Sequence, residues 1–250
     1  MSKLGWWRLG VVGGAVLVLE ILCRTGVIDR FTMIPPTEMV AALWRLLLAG
    51  ELNRDIAQTL SNVALAFVLA VTGGFFLGLG IHAWPRLRRV VDPFLATYYA
   101  VPFFVFYPIL IVIFGMNDLP IVVIGFLFAV VAMIINTLNG LDRIPRVLLK
   151  TARVYRMNPL ATALKIKLPA AALHLFAGAK LAVAYAFIGV IASEFILSAS
   201  GLGYAIAYAY NNFNNEKMYA LMLFIILLVT AINMSFYVWE QALVRRWGRG

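Results

Sequence analysis

The sequence predicts an all-α polytopic membrane protein, and three observations carry that expectation. Hydrophobic residues make up 63% of the chain and charged residues 13%, with a mean hydropathy of +0.92. A soluble domain has about 25% charged residues, so this composition cannot cover a water-exposed surface and lipid is the natural solvent. The apolar residues fall in runs long enough to cross a bilayer as helix, which takes about 20 residues. The basic residues are unevenly shared between alternate connecting segments. A single membrane domain, residues 1–250, accounts for the chain, since no stretch is both long and polar enough to fold separately.

The first span, residues 4–23, contains Arg8 and Glu20; Arg8 lies near one end and can snorkel to the headgroups. Lys3 and Arg8 before an apolar run resemble a secretory signal, but no small-x-small cleavage pattern follows, so the segment is expected to be retained. Cys23 has no second cysteine to pair with and is expected to be an inert apolar residue. Pro36-Thr37-Glu38 reads as a helix start capped by Thr37, with Val40, Leu43, Trp44 and Leu47 on one face. This predicts an amphipathic helix, residues 37–49, lying on the outer surface.

The second span, residues 60–83, lies within the charge-free run Ile56–Pro85. Its Gly74 and Gly78 have the G-x-x-x-G spacing that permits close helix contact, beside Gly73 and Gly80. The third, residues 93–115, holds Tyr98, Tyr99, Phe103, Phe104, Phe106 and Tyr107 with Pro102 and Pro108. The prolines predict a kink. The aromatics either line a route for a flat solute, with Tyr99 and Phe103 as candidates, or pack against neighbours. The fourth span is residues 119–140 and the sixth is 218–240. The fifth, residues 170–197, contains Lys180, expected to snorkel inward, and Ser193-Glu194 near its outer end. An ionisable group within a span is a functional candidate by default, so Ser193 and Glu194 are candidates for the translocation path. The alternative for Glu194 is a structural partner on another helix.

Six spans place both termini on one side. The segments on that side (the N-terminus, the 84–92 turn, the 141–169 loop and the C-terminus) carry fifteen Lys and Arg, against five on the opposite side. The bias puts the termini in the cytoplasm. It also makes the net charge of +10 topogenic, which removes nucleic acid as a partner and leaves membrane lipid.

Catalytic apparatus is not evident. There is no Gly-Lys pair for a phosphate-binding loop. His82 and His174 lack ligand spacing, so no metal site is expected, and Ser193 has no histidine in a nucleophile arrangement. Work against a gradient would draw on a partner or an ion.

The loop from 141 to 169 is long for a compact bundle and has its own helical grammar. Pro145 can open a helix that runs without a breaker to Tyr155. Asn158 then caps a second helix with Pro159 at its first position, running toward Ile166 and closed by Leu168-Pro169. Two short helices joined by a turn make a docking element.

At this point the segment Lys150-Thr151-Ala152, three residues, Arg156, nine residues, Ile166-Lys167-Leu168-Pro169 resembles the cytoplasmic loop signature of ABC importer permeases. Further matches point to the nitrate/sulfonate/taurine branch. They are Pro35-Pro36-Thr37-Glu38, Arg86-Leu87-Arg88-Arg89 with Asp92-Pro93, Ala152-Arg153-Val154-Tyr155, and Glu194 followed by Ser200-Gly201-Leu202-Gly203-Tyr204. The resemblance implies a type I ABC importer permease fold in the bacterial inner membrane. It implies two ATPase subunits that bind the inner loops, a second permease subunit of the same or a related chain, and a soluble binding protein outside. ATP and Mg would be bound by the ATPase, with no cofactor in this chain and no enzymatic role for it. The ATPase-coupling residues by match are Lys150, Thr151, Ala152, Arg153, Arg156, Asn158, Leu168 and Pro169; Gly201, Leu202, Gly203 and Tyr204 would form an outer loop meeting the binding protein. The solute would be nitrate-, sulfonate- or taurine-like, or a vitamin precursor.

The departures are specific. The family's leading glutamate is Lys150, its second residue is Thr151 rather than alanine, and its glycine is Arg156, which is expected to deny the loop a left-handed backbone. Three explanations stand: an ATPase surface complementary to these residues, a second permease bearing the usual loop, or weakened coupling. An ion-coupled secondary transporter and a non-coupling scaffold subunit are the alternative classes.

Overall fold

A computed structural model describes residues 3–247 as helices joined by short turns, with no strand among the described residues. In chain order they are α1 (Lys3–Arg24), α2 (Pro36–Leu48), α3 (Asn53–Ala83), α4 (Pro85–Thr97), α5 (Tyr107–Phe114), α6 (Leu119–Asp142), α7 (Arg146–Val154), α8 (Pro159–Thr162), α9 (Leu168–Leu197), α10 (Leu202–Asn211) and α11 (Asn215–Trp247). Among the described residues, Asn53–Ala83, Leu119–Asp142, the run Pro159–Asn211 that contains α9, and Asn215–Ala242 are long and apolar enough to span a bilayer. The bent pair Pro85–Ala100 and Phe103–Phe114 makes a fifth. The expected first span, α1, is a helix of 22 residues, about 33 Å long. Of the basic residues counted above, Arg249 and the side chains of Lys3, Arg8 and Arg246 lie outside the described residues.

The centre is α6 packed between α3 and α9. Lipid tails are as apolar as leucine, so span packing depends on close contact more than on hydrophobicity. Glycines supply it. A Cβ on Gly74 would lie 2.7 Å from Met133 Cβ, and one on Gly78 would lie 2.7 Å from Thr137 Cβ, so the G-x-x-x-G pair of α3 does lie against α6. On the opposite flank the two glycines meet directly: a Cβ on Gly189 of α9 would lie 2.8 Å from Gly125 Cα of α6. Ala66, Ala70, Ala129, Ala182 and Ala186 complete the buried seam.

Several expectations change. The third span is not a kinked helix but a broken one: α4 and α5 diverge by 92° across two short 3₁₀ turns, Tyr98–Ala100 and Phe103–Phe106. Val101, disfavoured from helix by the following Pro102, is extended at φ −79° and ψ 121°. Of the expected 84–92 turn only Trp84 lies outside α4, as its N-cap.

Helix α2 begins at Pro36, and Thr37 does not cap it. Instead the Thr37 amide and hydroxyl both donate to Glu20 of α1, at 3.0 and 2.7 Å, so a carboxylate from another helix fills the cap. The face of α2 that is buried is Met39, Ala42 and Leu43, packed on α11, while Val40 and Trp44 point outward. Met39, Ala42 and Leu43 tie α2 to the bundle, while Val40, Trp44 and Leu47 of the expected apolar face stay exposed.

Lys180 does not snorkel: its Nζ donates to Glu240 Oε2 of α11 at 2.6 Å. Pairing replaces hydration for a cation within a span. Cys23 is buried and unpaired, as its surroundings suggested.

Alanine at Gly74 or Gly189 should lower the melting temperature of the purified protein, by about 1–3 kcal/mol of overpacking. Gly80→Ala meets no atom within 4 Å and should be neutral or stabilising by up to about 1 kcal/mol. Thermal melts in one detergent compare the three; equal effects would contradict the close crossing.

Candidate functional site

Two ends of the bundle carry polar chemistry, and α9 runs between them. At the basic end α7 starts one residue later than expected, with Pro145 as its N-cap. It ends in a Schellman motif: the Met157 amide donates to Ala152 O at 2.9 Å and the Arg156 amide to Arg153 O at 3.0 Å. Arg156 occupies the left-handed position, φ +47°. The expectation that arginine would deny this backbone is thus corrected: the turn is made, at the steric cost a Cβ imposes there. Asn158 caps α8 as predicted, its Oδ1 accepting from the Ala161 amide at 2.6 Å, with Pro159 following.

The second short helix does not close at Leu168-Pro169. It continues through a π turn, Ala163–Lys167, into α9. Pro169 has no N–H for the carbonyl four residues back; the wider turn accommodates the defect, with the Leu168 amide reaching Ala163 O. The loop and the fifth span are consequently one helical rod from Pro159 onward. Ala152 is buried, while Lys150, Thr151, Arg153, Arg156 and Asn158 are exposed and Leu168 and Pro169 are half-buried.

The end of α6 is tied down nearby. Arg88 of α4 makes a two-point contact with Asp142, at 2.7 and 2.6 Å, and His82 lies 3.4 Å from the same carboxylate.

At the opposite end Glu194 is fully buried. Its Oε2 accepts from Thr59 Oγ1 at 2.7 Å and from the Gly203 amide at 3.2 Å; its Oε1 accepts from Asn62 Nδ2 at 3.4 Å. The Leu202 amide donates to Thr59 Oγ1 at 2.8 Å and the Gly201 amide to Asp55 Oδ1 at 3.1 Å. The free N–H groups that begin α10 are thus received by α3 and α9. The geometry demands glycine: Gly201 has φ +95°, and a Cβ on it would lie 2.4 Å from Glu194 Cδ, while one on Gly203 would lie 2.3 Å from Ile191 O.

This corrects the outer loop expected at Gly201, Leu202, Gly203 and Tyr204. The first three are buried and Tyr204 is half-buried, because Leu202, Ala205, Ile206 and Ala209 form the inward face of a helix. Exposed surface begins further on, at Tyr208, Tyr210 and Asn211 to Asn214.

The four path candidates do not converge. Phe103 is buried against Tyr98 and Phe128, with ring centroids 4.7 and 5.4 Å away. Tyr99, partly exposed, stacks on Tyr185 at 4.8 Å. Ser193 is buried and donates to Gly189 O at 2.7 Å, as a serine does when it satisfies its own helix. Sequence reasoning missed Asp55, Thr59 and Asn62, although their i, i+4, i+7 spacing on an apolar helix was a usable signal.

Comparison with known proteins places these features in context. The profile of the family described as "Binding-protein-dependent transport system inner membrane component" matches residues 70–249. A Bacillus subtilis (strain 168) protein named for aliphatic sulfonates transport, permease protein SsuC, is 27% identical over 221 residues, covering 88% of this chain and 80% of that one. The nitrate import permease protein NrtB of Leptolyngbya laminosa is 28% identical over 179 residues, covering 72% of this chain and 64% of its own length. Among solved structures, a chain of the inward-facing MetNI methionine ABC transporter has a TM-score of 0.60 at 22% identity, covering 75% of this chain and 94% of that chain.

Glu194→Ala should cost about 3 kcal/mol, because buried donors lose their acceptor. Glu194→Gln should cost less, since one oxygen remains and the Asn62 amide can turn; equal losses in thermal melts would contradict the capping role. Arg156→Gly should raise the melting temperature by relieving about 1 kcal/mol of left-handed strain. A fall would show that the side chain makes a stabilising contact.

Proposed function

Because the chain belongs to the family of inner-membrane components of binding-protein-dependent transport systems, as a multi-pass ABC importer permease of the nitrate and sulfonate branch, we propose that ATP hydrolysis in two separate ATPase subunits drives it to import a small solute of the nitrate or sulfonate class. In this reading a soluble binding protein delivers the solute outside, and a second permease subunit, the same or a related chain, forms the other half of the path. ATP and Mg sit in the ATPase subunits. The solute class is carried from the names of the similar proteins.

The observation that supports ATP-driven coupling is the continuity of the basic loop with α9. ATP-driven closure of the ATPases moves the docked loops. A linker would absorb that displacement; a helical rod passes it on. At the far end of the rod Glu194 holds the start of α10, so movement of α9 reaches the outer face. The left-handed turn at Arg156 favours a working loop over a defective one, since the backbone shape survives the loss of glycine.

Orientation follows from charge. Four of the five basic residues assigned to the outer side are matched by carboxylates: Arg24 by Glu20, Arg30 by Glu38, Arg45 by Glu216 and Lys217 by Glu51. The other end carries the larger count of Lys and Arg, fifteen against five, as the positive-inside rule requires of the cytoplasmic side. Both termini are therefore cytoplasmic in this reading.

Reconstitution with the ATPase subunits and binding protein in proteoliposomes provides the test. Loaded binding protein should raise ATP hydrolysis several-fold and produce solute accumulation. Hydrolysis without binding-protein-dependent uptake contradicts the importer reading.

A further inference from the structure

Non-helical backbone at membrane depth is tolerated only where it is buried in protein or lines a water-filled cavity. The third span is broken between Tyr98 and Phe106, where two 3₁₀ turns flank the extended Val101. That break lies against the middle of α9. The Tyr99 ring stacks on Tyr185, with centroids 4.8 Å and planes 21° apart. Tyr98 also holds Tyr99, edge-on at 5.9 Å.

The third and fifth spans contain four tyrosines, Tyr98, Tyr99, Tyr107 and Tyr185, and their hydroxyls are of two kinds. Tyr98 donates to Leu127 O at 3.0 Å and Tyr107 to Leu197 O at 2.7 Å, so both serve the fold. Among the described residues, Tyr99 and Tyr185 donate to no carbonyl or carboxylate, and their rings adjoin each other. A tyrosine hydroxyl withdrawn from water usually finds a partner, and leaving one in hydrocarbon is costly. Tyr99 is 41% exposed and Tyr185 half-buried, so a small molecule can reach the pair.

Charge adds a second observation. The second to sixth spans contain a single Lys or Arg, Lys180, and Glu240 neutralises it at 2.6 Å. An anion crossing beside these spans needs neutral donors. Two hydroxyls on stacked rings supply them. They also hold an anion loosely enough to let it go, as passage requires.

We propose that the Tyr99 and Tyr185 hydroxyls form a transit site for the solute, donating to the oxygens of a nitrate or sulfonate group part-way across the membrane. The inference rests on the importer reading above and adds the residues that meet the solute. The rings aim the hydroxyls; they do not stack on the solute.

The test uses the transporter assembled with its ATPases and binding protein in proteoliposomes, with nitrate or methanesulfonate as the probe, whichever the wild type imports. Tyr99→Phe combined with Tyr185→Phe keeps both rings and should leave the melting temperature unchanged. Solute imported per ATP hydrolysed should fall about tenfold, a ratio that loss of folded protein does not move. Tyr107→Phe, which loses a structural bond, should lower the melting temperature and leave the ratio alone. On a Cys23→Ser background, Tyr185→Cys should react with a sulfonate-bearing methanethiosulfonate reagent. If the double phenylalanine variant keeps the wild-type ratio, whatever its melting temperature, the proposal is overturned and the importer reading stands. If Tyr185→Cys resists the reagent, the pair faces lipid and the proposal is overturned. Wild-type import of neither probe, with no dependence on the binding protein, overturns both.

Discussion

Helix α6 lies so close to α3 and α9 that the crossings leave no room for a side chain at Gly74, Gly78, Gly125 and Gly189. Everything else in the bundle is placed relative to that seam. With no hydrophobic drive between helices in lipid, backbone proximity and its dispersion contacts do the holding. Interfaces packed this tightly shift as bodies and do not deform smoothly. The three central spans therefore behave as one unit; α10 and α11 are attached to it by polar contacts, and α2 is held through α1 and α11.

Those attachments share a device. A helix start exposes N–H groups, and within or near a bilayer each must find a partner in the protein. Here the partner comes from another helix. Glu20 of α1 receives the Thr37 amide at the start of α2, and Asp55, Thr59 and Glu194 receive the first three amides around the start of α10. A carboxylate inside a span would be costly unpaired. Spent on a neighbouring helix start, it both satisfies the donors and fixes where the outer helix sits. Glu194 consequently has a structural task that its position alone did not disclose.

The legible parts were those encoded locally. Charge-free runs located α3, α6 and α11, and a run broken only by Lys180 located α9; the Gly74 and Gly78 spacing announced a close crossing; Asn158-Pro159 marked a helix start that the Asn158 side chain does cap. What escaped depended on distant chain. Nothing near Glu194 names Thr59, which lies 135 residues away, and Gly125 and Gly189 have no G-x-x-x-G partner to flag them. The break at Val101 needed the combined effect of Pro102 and Pro108, which a kink had been expected to absorb. The π turn was hidden because Ile166-Lys167-Leu168-Pro169 looks like a stop. Arg156 reversed the usual inference from residue type: the neighbouring hydrogen bonds impose a left-handed backbone that arginine would not choose.

From these features comes one mechanical claim: α8, the π turn and α9 form a single rod from the basic loop to the outer helix start. Spin labels at Leu160 and Ile196, both exposed, on a Cys23→Ser background, report its length directly. Labelled chains diluted with unlabelled ones keep the distance within one subunit. The account predicts one narrow distribution near the helical length of about 54 Å, unchanged when nucleotide binds the assembled transporter. A second population, or a nucleotide-dependent shift in that distance, would show that the rod bends at the π turn and would contradict the claim.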